Sequence, residues 1–319
     1  MKIGMQLHPD RGVDAVLEEA RQADEQGFDS VWLSDHLFNT RGEHRPDVPL
    51  DLLTLATAIG AVTKRTRLAW ASLNITLRPP ALLAKTLTSL DQITHGRVIA
   101  TLGSGWNLPE WQAYNLPIIE DHDERALFAR EVVQLFKALW TQPAPHLTTF
   151  AGKYVKVKDL PFNPGPYQKP HPPIWFGGES EATLKTVKEL CDGWMMLSAG
   201  GKPETLRGVL AAPDWPQRPM TLVKGARIVV GKTHDVAIEA AQREYESMKQ
   251  TAPQMAPPAF EDFLAREVVG TPDECLERIA EMESWGVNYL RVNFQSEATQ
   301  DAAARLLLPR LAERVEVPA

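Results

Sequence analysis

Cysteine is scarce in this chain of 319 residues, where it occurs only at Cys191 and Cys275. The two are far apart and neither belongs to a Cys-x-x-Cys motif, which argues against a disulfide framework or a thiolate metal site. The sequence also lacks any run of 18 apolar residues, so it predicts no membrane span. Its first ten residues, MKIGMQLHPD, show no secretory signal pattern. We therefore expect a cytoplasmic protein.

Clusters of positive charge are absent as well. The chain carries 34 lysines and arginines against 41 aspartates and glutamates, and its formal net charge is −7. A chain without a basic block is unsuited to bind nucleic acid or an anionic membrane surface. The eight histidines are scattered, with no His-x-His or His-x-x-x-His pair, so no metal site is predicted.

Short apolar runs alternate with amphipathic helical patterns along most of the chain. The predicted strands cover residues 3–7, 30–33, 67–73, 98–102, 174–176, 194–197, 227–230 and 289–292. Eight such units predict a (β/α)₈ barrel that forms one domain over residues 1–319. A doubly wound sheet would instead call for a Gly-x-Gly-x-x-Gly turn after the first strand, and MQLHPDRGV has none.

Three segments interrupt this alternation and are predicted to be irregular. They are the Trp-rich 105–121, the segment 143–173 with its hairpin-like TTFAGKYVKV, and 249–267. Insertions that follow barrel strands lie on the C-terminal face and shape the active site. A helix is predicted to begin at Thr271, because Thr-Pro-Asp-Glu places a cap, a first-turn proline and a glutamate at the third position.

The cluster Ser34-Asp35-His36 ends the second predicted strand. His36 there could exchange a proton with a bound ligand near neutral pH, or it could simply hydrogen-bond a loop carbonyl. His8, which ends the first strand, is the second catalytic candidate and has the same alternative.

A second cluster, Gly103-Ser104-Gly105-Trp106-Asn107, ends the fourth predicted strand. Glycines allow a planar ligand to approach the backbone, and Trp106 could stack on it. The alternative interpretation is a tight turn beside a core tryptophan.

The third cluster, Gly177-Gly178-Glu179-Ser180, lies between the fifth predicted strand and a helix that begins near Glu181. Backbone N–H groups and the positive end of a helix dipole can hold a phosphate, although a Gly-Gly pair before a helix also forms ordinary turns. Asp121, Asp123 and Glu124 fit a solvated helix start better than an acid–base pair.

Several of these segments, taken in order, resemble the bacterial luciferase-like family of flavin- and deazaflavin-dependent oxidoreductases. The matching segments are Gly27-Phe28-Asp29-Ser30-Val31-Trp32, Ser34-Asp35-His36, Thr66-Arg67-Leu68, Leu90-Asp91-Gln92-Ile93, Gly96-Arg97, Gly105-Trp106-Asn107 with Glu110, His122-Asp123-Glu124-Arg125, Gly177-Gly178, Asp192-Gly193-Trp194 and Gly270-Thr271-Pro272-Asp273-Glu274. They extend over residues 3–292.

This resemblance implies a barrel that binds reduced FMN or a deazaflavin at its C-terminal mouth, with a cis Ala71–Ser72 peptide against the ring. The implied cofactor-binding residues are Asp35, Ala71, Ser72, Thr101, Ser104, Trp106, Asn107, Gly177, Gly178, Glu179, Ser180 and Trp194. His36 is the implied proton donor, with His8 second. A homodimer is also implied.

The resemblance divides over the cofactor. His122-Asp123-Glu124-Arg125 is similar to the FMN-dependent monooxygenases that attack organosulfur compounds, although Ala126 stands where that branch usually has tyrosine. The segments around His36 and Gly178 are similar to the branch that uses the deazaflavin F420. We expect a monooxygenase that uses O₂ and reduced FMN from a separate flavin reductase on a small organic substrate. The alternatives are hydride transfer with F420 and a flavin-binding protein without turnover.

Overall fold

The computed structural model describes residues 1–38, 50–142, 145–196, 203–253 and 255–316. Its strands are β1 (Lys2–Gln6), β2 (Ser30–Leu33), β3 (Arg67–Trp70), β4 (Leu73–Asn74), β5 (Ala100–Gly103), β6 (Leu147–Ala151), β7 (Lys156–Pro161), β8 (Ile174–Gly177), β9 (Gly193–Met195), β10 (Thr221–Ala226), β11 (Ile228–Val230), β12 (Val268–Gly270) and β13 (Tyr289–Val292). Its helices are α1 (Val13–Gln26), α2 (Leu52–Val62), α3 (Pro80–Ile93), α4 (Leu108–Ala113), α5 (His122–Thr141), α6 (Glu181–Leu190), α7 (Pro203–Leu210), α8 (His234–Thr251), α9 (Phe260–Arg266), α10 (Pro272–Ser284), α11 (Glu297–Leu306) and α12 (Leu308–Glu316).

The main sheet is a parallel barrel. Its strands follow the order β3-β2-β1-β13-β10-β9-β8-β5-β4, and every pairing among them is parallel. A parallel bridge between Leu68 of β3 and Val98, just before β5, closes the ring of strands. Since β3 and β4 are the two halves of one strand, the described residues form eight barrel strands, and the predicted (β/α)₈ fold is confirmed.

Alternation along the strands separates two apolar layers. Because successive strand side chains point to opposite faces, one set fills the barrel and the other packs against the helices. The inner set is small and compact, consisting of Trp32, Ala69, Ile99, Trp175, Met195, Val223 and Tyr289. The outer set, which includes Leu33, Trp70 and Val292, belongs to the large core shared with the helices.

The N-terminal end of the barrel is closed by a polar network. The Tyr289 hydroxyl donates to Asp29 at 2.5 Å and lies 2.6 Å from the Ser30 hydroxyl, while Arg67 also donates to Asp29. Burial raises the pKa of Tyr289 well above its ordinary value, so the phenol stays protonated as a donor. A cleft of about 480 Å³ opens at this end, beside Asp29 and Arg67. It lies opposite the strand ends that carry the candidate site.

The seventh predicted strand was misplaced. Residues 227–230 do not enter the barrel: Ile228–Val230 pairs with Val268–Gly270 in a separate two-stranded sheet, and the barrel strand is Thr221–Ala226. The polar residues Thr221 and Lys224 interrupt the apolar pattern of that strand. The continuous Ile-Val-Val run was therefore predicted to be the barrel strand in its place. The predicted strand 194–197 is observed as Gly193–Met195, and Leu197 lies outside the described residues.

The irregular segments contain more helix than predicted. Helix α4 lies within 105–121, and α9 within 249–267. The hairpin is confirmed as the antiparallel pair β6 and β7. The helix start at Thr271 is also confirmed, with a capping box in which the Thr271 hydroxyl and the Glu274 carboxylate each accept from the other's backbone N–H.

Arg97 ties the ends of two helices to the barrel. Its guanidinium donates five hydrogen bonds, to the carbonyls of Gly60, Thr63, Thr66 and Thr94 and to the Thr63 hydroxyl. The carbonyls at the end of α2 have no partner within the helix, so this side chain satisfies groups that would otherwise be left without one.

We predict that Arg97→Met lowers the free energy of unfolding by about 2–3 kcal/mol, because it leaves several buried carbonyls without donors. Arg21→Met is the matched control, since Arg21 is exposed and pairs only with Glu18 one turn earlier. Urea unfolding of both variants measures the difference. Equal losses would mean that Arg97 contributes no more than a surface charge.

Candidate active site at the barrel mouth

The residues singled out in the sequence follow the C-terminal ends of different barrel strands. His8 follows β1, His36 follows β2, Ser72 lies between β3 and β4, Trp106 follows β5 and Gly178 follows β8. Because parallel strands end on the same side of a barrel, these five positions lie around one mouth. The fold thus brings together segments that are up to 170 residues apart in sequence.

The upper interior of the barrel is lined by small residues. Gly103, Gly177 and Gly225 occupy inward positions on β5, β8 and β10, two residues beyond an inward-facing neighbour in each case. Thr101 also faces inward on β5 and is fully buried, yet its hydroxyl has no hydrogen-bond partner among the described residues. A buried hydroxyl without a partner is costly, which suits a ligand that supplies one.

The Ala71–Ser72 peptide is cis, as the resemblance implied. Ala71 packs against the inner apolar cluster, and the Ser72 side chain lies directly against Gly103, where a Cβ atom would approach its Oγ to 2.0 Å. At the rim of the barrel, the backbone between β3 and β4 therefore lies close to the end of β5.

His36 is held in the mouth by a buried carboxylate. Its Nδ1 lies 3.2 Å from both Glu110 oxygens, and Glu110 Oε1 also accepts from the backbone N–H groups of Leu37 (2.6 Å) and Phe38 (3.3 Å). The ring of Trp106 meets the imidazole edge-on at 5.6 Å between centroids, and 59% of Trp106 is exposed. An imidazole ring thus stands beside an exposed aromatic surface.

Glu110 was not among the predicted site residues, although it belongs to the resembling segment. Burial raises the pKa of Glu110, but the hydrogen bonds from His36, Leu37 and Phe38 outweigh burial, so its pKa lies below the ordinary value of 4.5. The ionised carboxylate accepts a hydrogen bond from Nδ1–H, which assigns the proton of the neutral imidazole to Nδ1 and the lone pair to Nε2.

The carboxylate of Asp35 points away from open space. It is almost fully buried. It accepts hydrogen bonds from two guanidinium nitrogens of Arg78 at 2.8 and 3.2 Å and from the backbone N–H of Asn74 at 3.0 Å. Burial raises the pKa of Asp35 in spite of these partners. Asp35 links the loop after β2 to β4, and any contact with a cofactor stays a prediction.

His8 has partners on both ring nitrogens. Nδ1 lies 2.9 Å from Glu19 of α1, and Nε2 lies 3.0 Å from the amide oxygen of Asn293 beyond β13. These contacts connect the loops that follow two adjacent strands. The catalytic role expected for His8 is untested, and its geometry suits a fixed link.

The turn after β8 has the backbone shape that its two glycines suggested. Gly178 has φ +142°, a region that favours glycine, and its carbonyl accepts from Trp194 Nε1 at 2.7 Å. Trp194 packs in the outer core, so it supports this turn from behind. Ser180 caps α6 by accepting from Thr183 N, and Glu179 is exposed.

The loop after β5 is anchored from beneath. Arg125 donates to the carbonyls of Ile119 and Glu120, and its guanidinium lies 5.6 Å from the Trp111 ring centre. Asn107 is buried and its side-chain nitrogen has no partner among the described residues, while Ser104 is partly exposed at the rim. The position of Arg125 explains why the His122-to-Arg125 segment belongs to the mouth.

Arg291 is, like Glu110, a residue of the barrel end that was not among the predicted site residues. It lies on β13, two residues after the inward-facing Tyr289, and its Nη1 donates to Gln6 Oε1 of β1 at 2.9 Å. An arginine inside a strand that is otherwise apolar (YLRV) was the available signal, but nothing in the sequence told which face it occupies. The structure places it inside the barrel.

The chain matches the family model for luciferase-like monooxygenases over residues 1–289. It belongs to the luciferase-like monooxygenase family. Relatives of this family include an FMNH₂-dependent dimethylsulfone monooxygenase of Pseudomonas putida, which is 27% identical in an alignment of 270 positions that covers 73% of this chain and 71% of that protein. An F420-dependent glucose-6-phosphate dehydrogenase of Microbacterium testaceum is 28% identical and aligns over 95% of each chain.

Solved structures share the fold. The monooxygenase RslO1 from Streptomyces bottropensis superimposes with a TM-score of 0.80 at 22% identity, covering 98% of this chain and 100% of the other. The long-chain alkane monooxygenase LadA gives the same TM-score at 19% identity, covering 100% and 92%. At these identities the likeness establishes the barrel. No helix within the described ranges is long and apolar enough to span a membrane.

We predict that Glu110→Gln destabilises the protein by about 1–3 kcal/mol near neutral pH, because an amide replaces a charged acceptor in three hydrogen bonds. A carboxyl with a lowered pKa in the folded state stabilises the protein above its unfolded pKa, and this stabilisation disappears as the pH falls through the folded value. The gap between wild type and variant should therefore shrink steadily from pH 6 to pH 3. Urea unfolding across that range would refute this if the gap stayed constant.

Proposed function

We propose that this protein is a monooxygenase that uses reduced FMN and O₂ to oxidise a small organic substrate. The proposal rests mainly on one observation: the buried Thr101 hydroxyl, which has no partner within the described part of the chain, lies at the same end of the barrel as the His36–Glu110 pair. Family membership narrows the chemistry to flavin- or F420-dependent oxidoreduction.

The residues present fit a flavin. A planar ring needs backbone that it can approach, and Gly177, which faces inward at the end of β8, is the position expected to provide it. Thr101 Oγ1 and Asn107 Nδ2, both buried and without partners among the described residues, are the groups expected to bond with the ring. The turn at Gly178, followed at once by the N-terminus of α6, suits the phosphate.

Reduced FMN, when bound, supplies the electrons that activate O₂ for transfer of one oxygen atom to the substrate. The protein has to orient the ring, exclude water and manage protons. Glu110 fixes His36 with Nδ1 as donor, so Nε2 can give or take a proton at the ligand. Trp106 covers the same ligand with an aromatic face.

FMN is favoured over F420 by the His122-Asp123-Glu124-Arg125 segment, whose arginine anchors the loop under Trp106, and by the dimethylsulfone monooxygenase relative. The relative named for F420 aligns over more of the chain, which makes hydride transfer with F420 the second candidate. Titrating the protein with reduced FMN and with F420 side by side distinguishes them. Substrate-dependent oxygen uptake supports FMN, whereas anaerobic loss of F420 absorbance supports the alternative.

Two further expectations belong to this proposal. A separate flavin reductase would supply the reduced FMN, and the homodimer implied by the resemblance stays a prediction. A flavin-binding protein without turnover would bind FMN tightly and show no substrate-dependent oxygen use.

We predict that His36→Asn lowers turnover by about 10²-fold or more while FMN affinity changes little, because it removes the proton-exchanging nitrogen and keeps a polar side chain. His234→Asn is the control, since His234 is exposed on α8 and contacts Glu274. Stopped-flow single turnovers with both variants measure the effect. An unchanged rate in His36→Asn would make His36 a structural residue.

We predict that Gly178→Val weakens FMN binding far more than riboflavin binding, since riboflavin has the same ring without the phosphate. A side chain there disfavours φ +142°, and its Cβ would lie 2.9 Å from Thr183 Cγ2 at the start of α6. Gly208→Val, on α7 where a Cβ meets nothing within 4 Å, is the control for a general effect. Equal losses for both ligands would show that the turn supports the ring or the fold.

A further inference from the structure

A cluster of buried ionisable side chains lies behind the barrel wall, on the outer side of β10. Its members are Lys224 of β10, Arg227 between β10 and β11, Glu244 of α8 and Glu267 just before β12. Lys224 faces outward because its neighbour Val223 belongs to the inner cluster. Lys224, Glu244 and Glu267 are at most 6% exposed, so their charges depend on one another more than on water.

Lys224 and Glu267 have hydrogen bonds of their own. The Lys224 ammonium donates to the carbonyls of Gly225 at 3.1 Å and Arg266 at 3.3 Å. Glu267 Oε2 accepts from the backbone N–H of Arg227 at 2.6 Å. These contacts tie the small sheet of β11 and β12 to the end of the barrel strand β10.

The Glu244 carboxyl group lacks such contacts. Neither of its oxygens has a hydrogen-bond partner of normal length among the described residues, and the same is true of Arg227 Nε. Arg227 Nε lies 3.9 Å from Glu244 Oε2, which is close enough for attraction between charges but too long for a hydrogen bond. An ionised carboxylate here therefore loses its hydration without gaining donors in exchange.

Glu244 also interrupts an apolar helix face. The other buried positions of α8 follow helical spacing and are apolar: Ala237, Ala241, Tyr245 and Met248. Three of these residues pack in one cluster with Val229 of β11 and Phe263 of α9. The carboxyl group thus lies in the surface by which α8 is attached to the small sheet.

The groups around Glu244 act on its proton in opposite directions. Burial has the largest effect and, together with the like charge of Glu267, raises the pKa of Glu244, whereas Arg227 and Thr299 of α11 lower that pKa. The balance raises the pKa of Glu244 from 4.5 to about 7.

Two further cations border the cluster on the side of Lys224. Burial lowers the pKa of Lys224 most, and repulsion from Arg278 of α10 and Arg266 at the end of α9 lowers it further. Guanidinium groups stay charged at working pH values, so their effect is constant across the range in which Glu244 titrates.

We propose that Glu244 is a proton-dependent latch for α8. The neutral acid allows the helix to pack on the small sheet, and loss of the proton to solvent leaves a buried carboxylate without donors, which loosens that packing. The unfolded chain ionises Glu244 near 4.5, so between pH 4.5 and 7 the folded protein binds one proton more. Stability that this proton provides is present below pH 4.5 and is lost as the pH rises through 7.

The test is urea unfolding of wild type and Glu244→Gln between pH 5 and pH 8. Glutamine has the shape of the neutral acid and cannot ionise. The unfolding equilibrium constant of wild type, relative to that of the variant, should rise about 100-fold across this range, since each unit of pKa difference is tenfold. Glu246→Gln is the control, because Glu246 is exposed one turn-half further along α8 and lies near Lys249.

Two neighbouring variants test the direction of the effect. Arg227→Met removes an attraction that favours ionisation, so the pH transition should move upward. Glu267→Gln removes a repulsion and keeps an acceptor for the backbone of Arg227, so the transition should move downward. Hydrogen exchange of α8, corrected for the intrinsic effect of pH, should show protection falling between pH 6 and pH 8 in wild type but not in Glu244→Gln.

Several results would overturn the latch. One is a ratio between wild type and Glu244→Gln that does not change with pH, or changes no more than the ratio for Glu246→Gln. Another is unchanged α8 protection while the ratio rises, because the proton would then affect global stability without loosening the helix. Carboxyl ¹³C NMR of wild type gives an answer that needs no neighbouring variant to fold: a Glu244 signal, identified by its absence from Glu244→Gln, that titrates near 4.5 contradicts the proposal.

Discussion

The Glu110 carboxylate connects the loops that follow β2 and β5 at the mouth of the barrel. It lies on α4, in the loop after β5, and it accepts hydrogen bonds from the His36 ring and from the backbone of Leu37 and Phe38 after β2. A buried carboxylate with so many donors is stable only in its ionised form. This one carboxylate sets the orientation of the His36 ring. It thereby also fixes Nδ1 as the donor nitrogen and the contact of the ring with Trp106.

The size of the inward-facing residues changes along the barrel. Large rings such as Trp32 and Trp175 fill the middle layer, whereas glycines occupy three positions of the layer above. The side chains of Ser72 and Arg291 pack against two of these glycines, Gly103 and Gly225. Thr101 and Arg291 are polar groups at this change of size, one on each side of the mouth.

The polar groups of the mouth fall into two kinds. Asp35 with Arg78, and His8 with Glu19 and Asn293, use their polar atoms on one another and thereby fix the loops after the strands. Thr101 and Asn107 keep buried polar atoms without partners among the described residues, and His36 contacts Glu110 through Nδ1 alone of its two ring nitrogens. The paired groups fix the loops after the strands, and the fixed loops hold Thr101, Asn107 and His36 in position on the rigid barrel.

Periodicity and capping residues by themselves determined the barrel, because parallel strands need apolar faces on both sides and leave a readable alternation with helices. The positions of His36, Trp106 and Gly178 at strand ends followed from the same pattern. Sequence could not place the seventh strand, since Thr221–Ala226 mixes polar and apolar residues and its burial depends on neighbours distant in the chain. Nor could it show that Glu110 and Arg291 face the mouth and the barrel interior, because the groups that contact them lie on other elements. The partners of these two charges are Leu37, Phe38 and Gln6. The order of the strands around the barrel brings them together, and that order is a property of the tertiary structure.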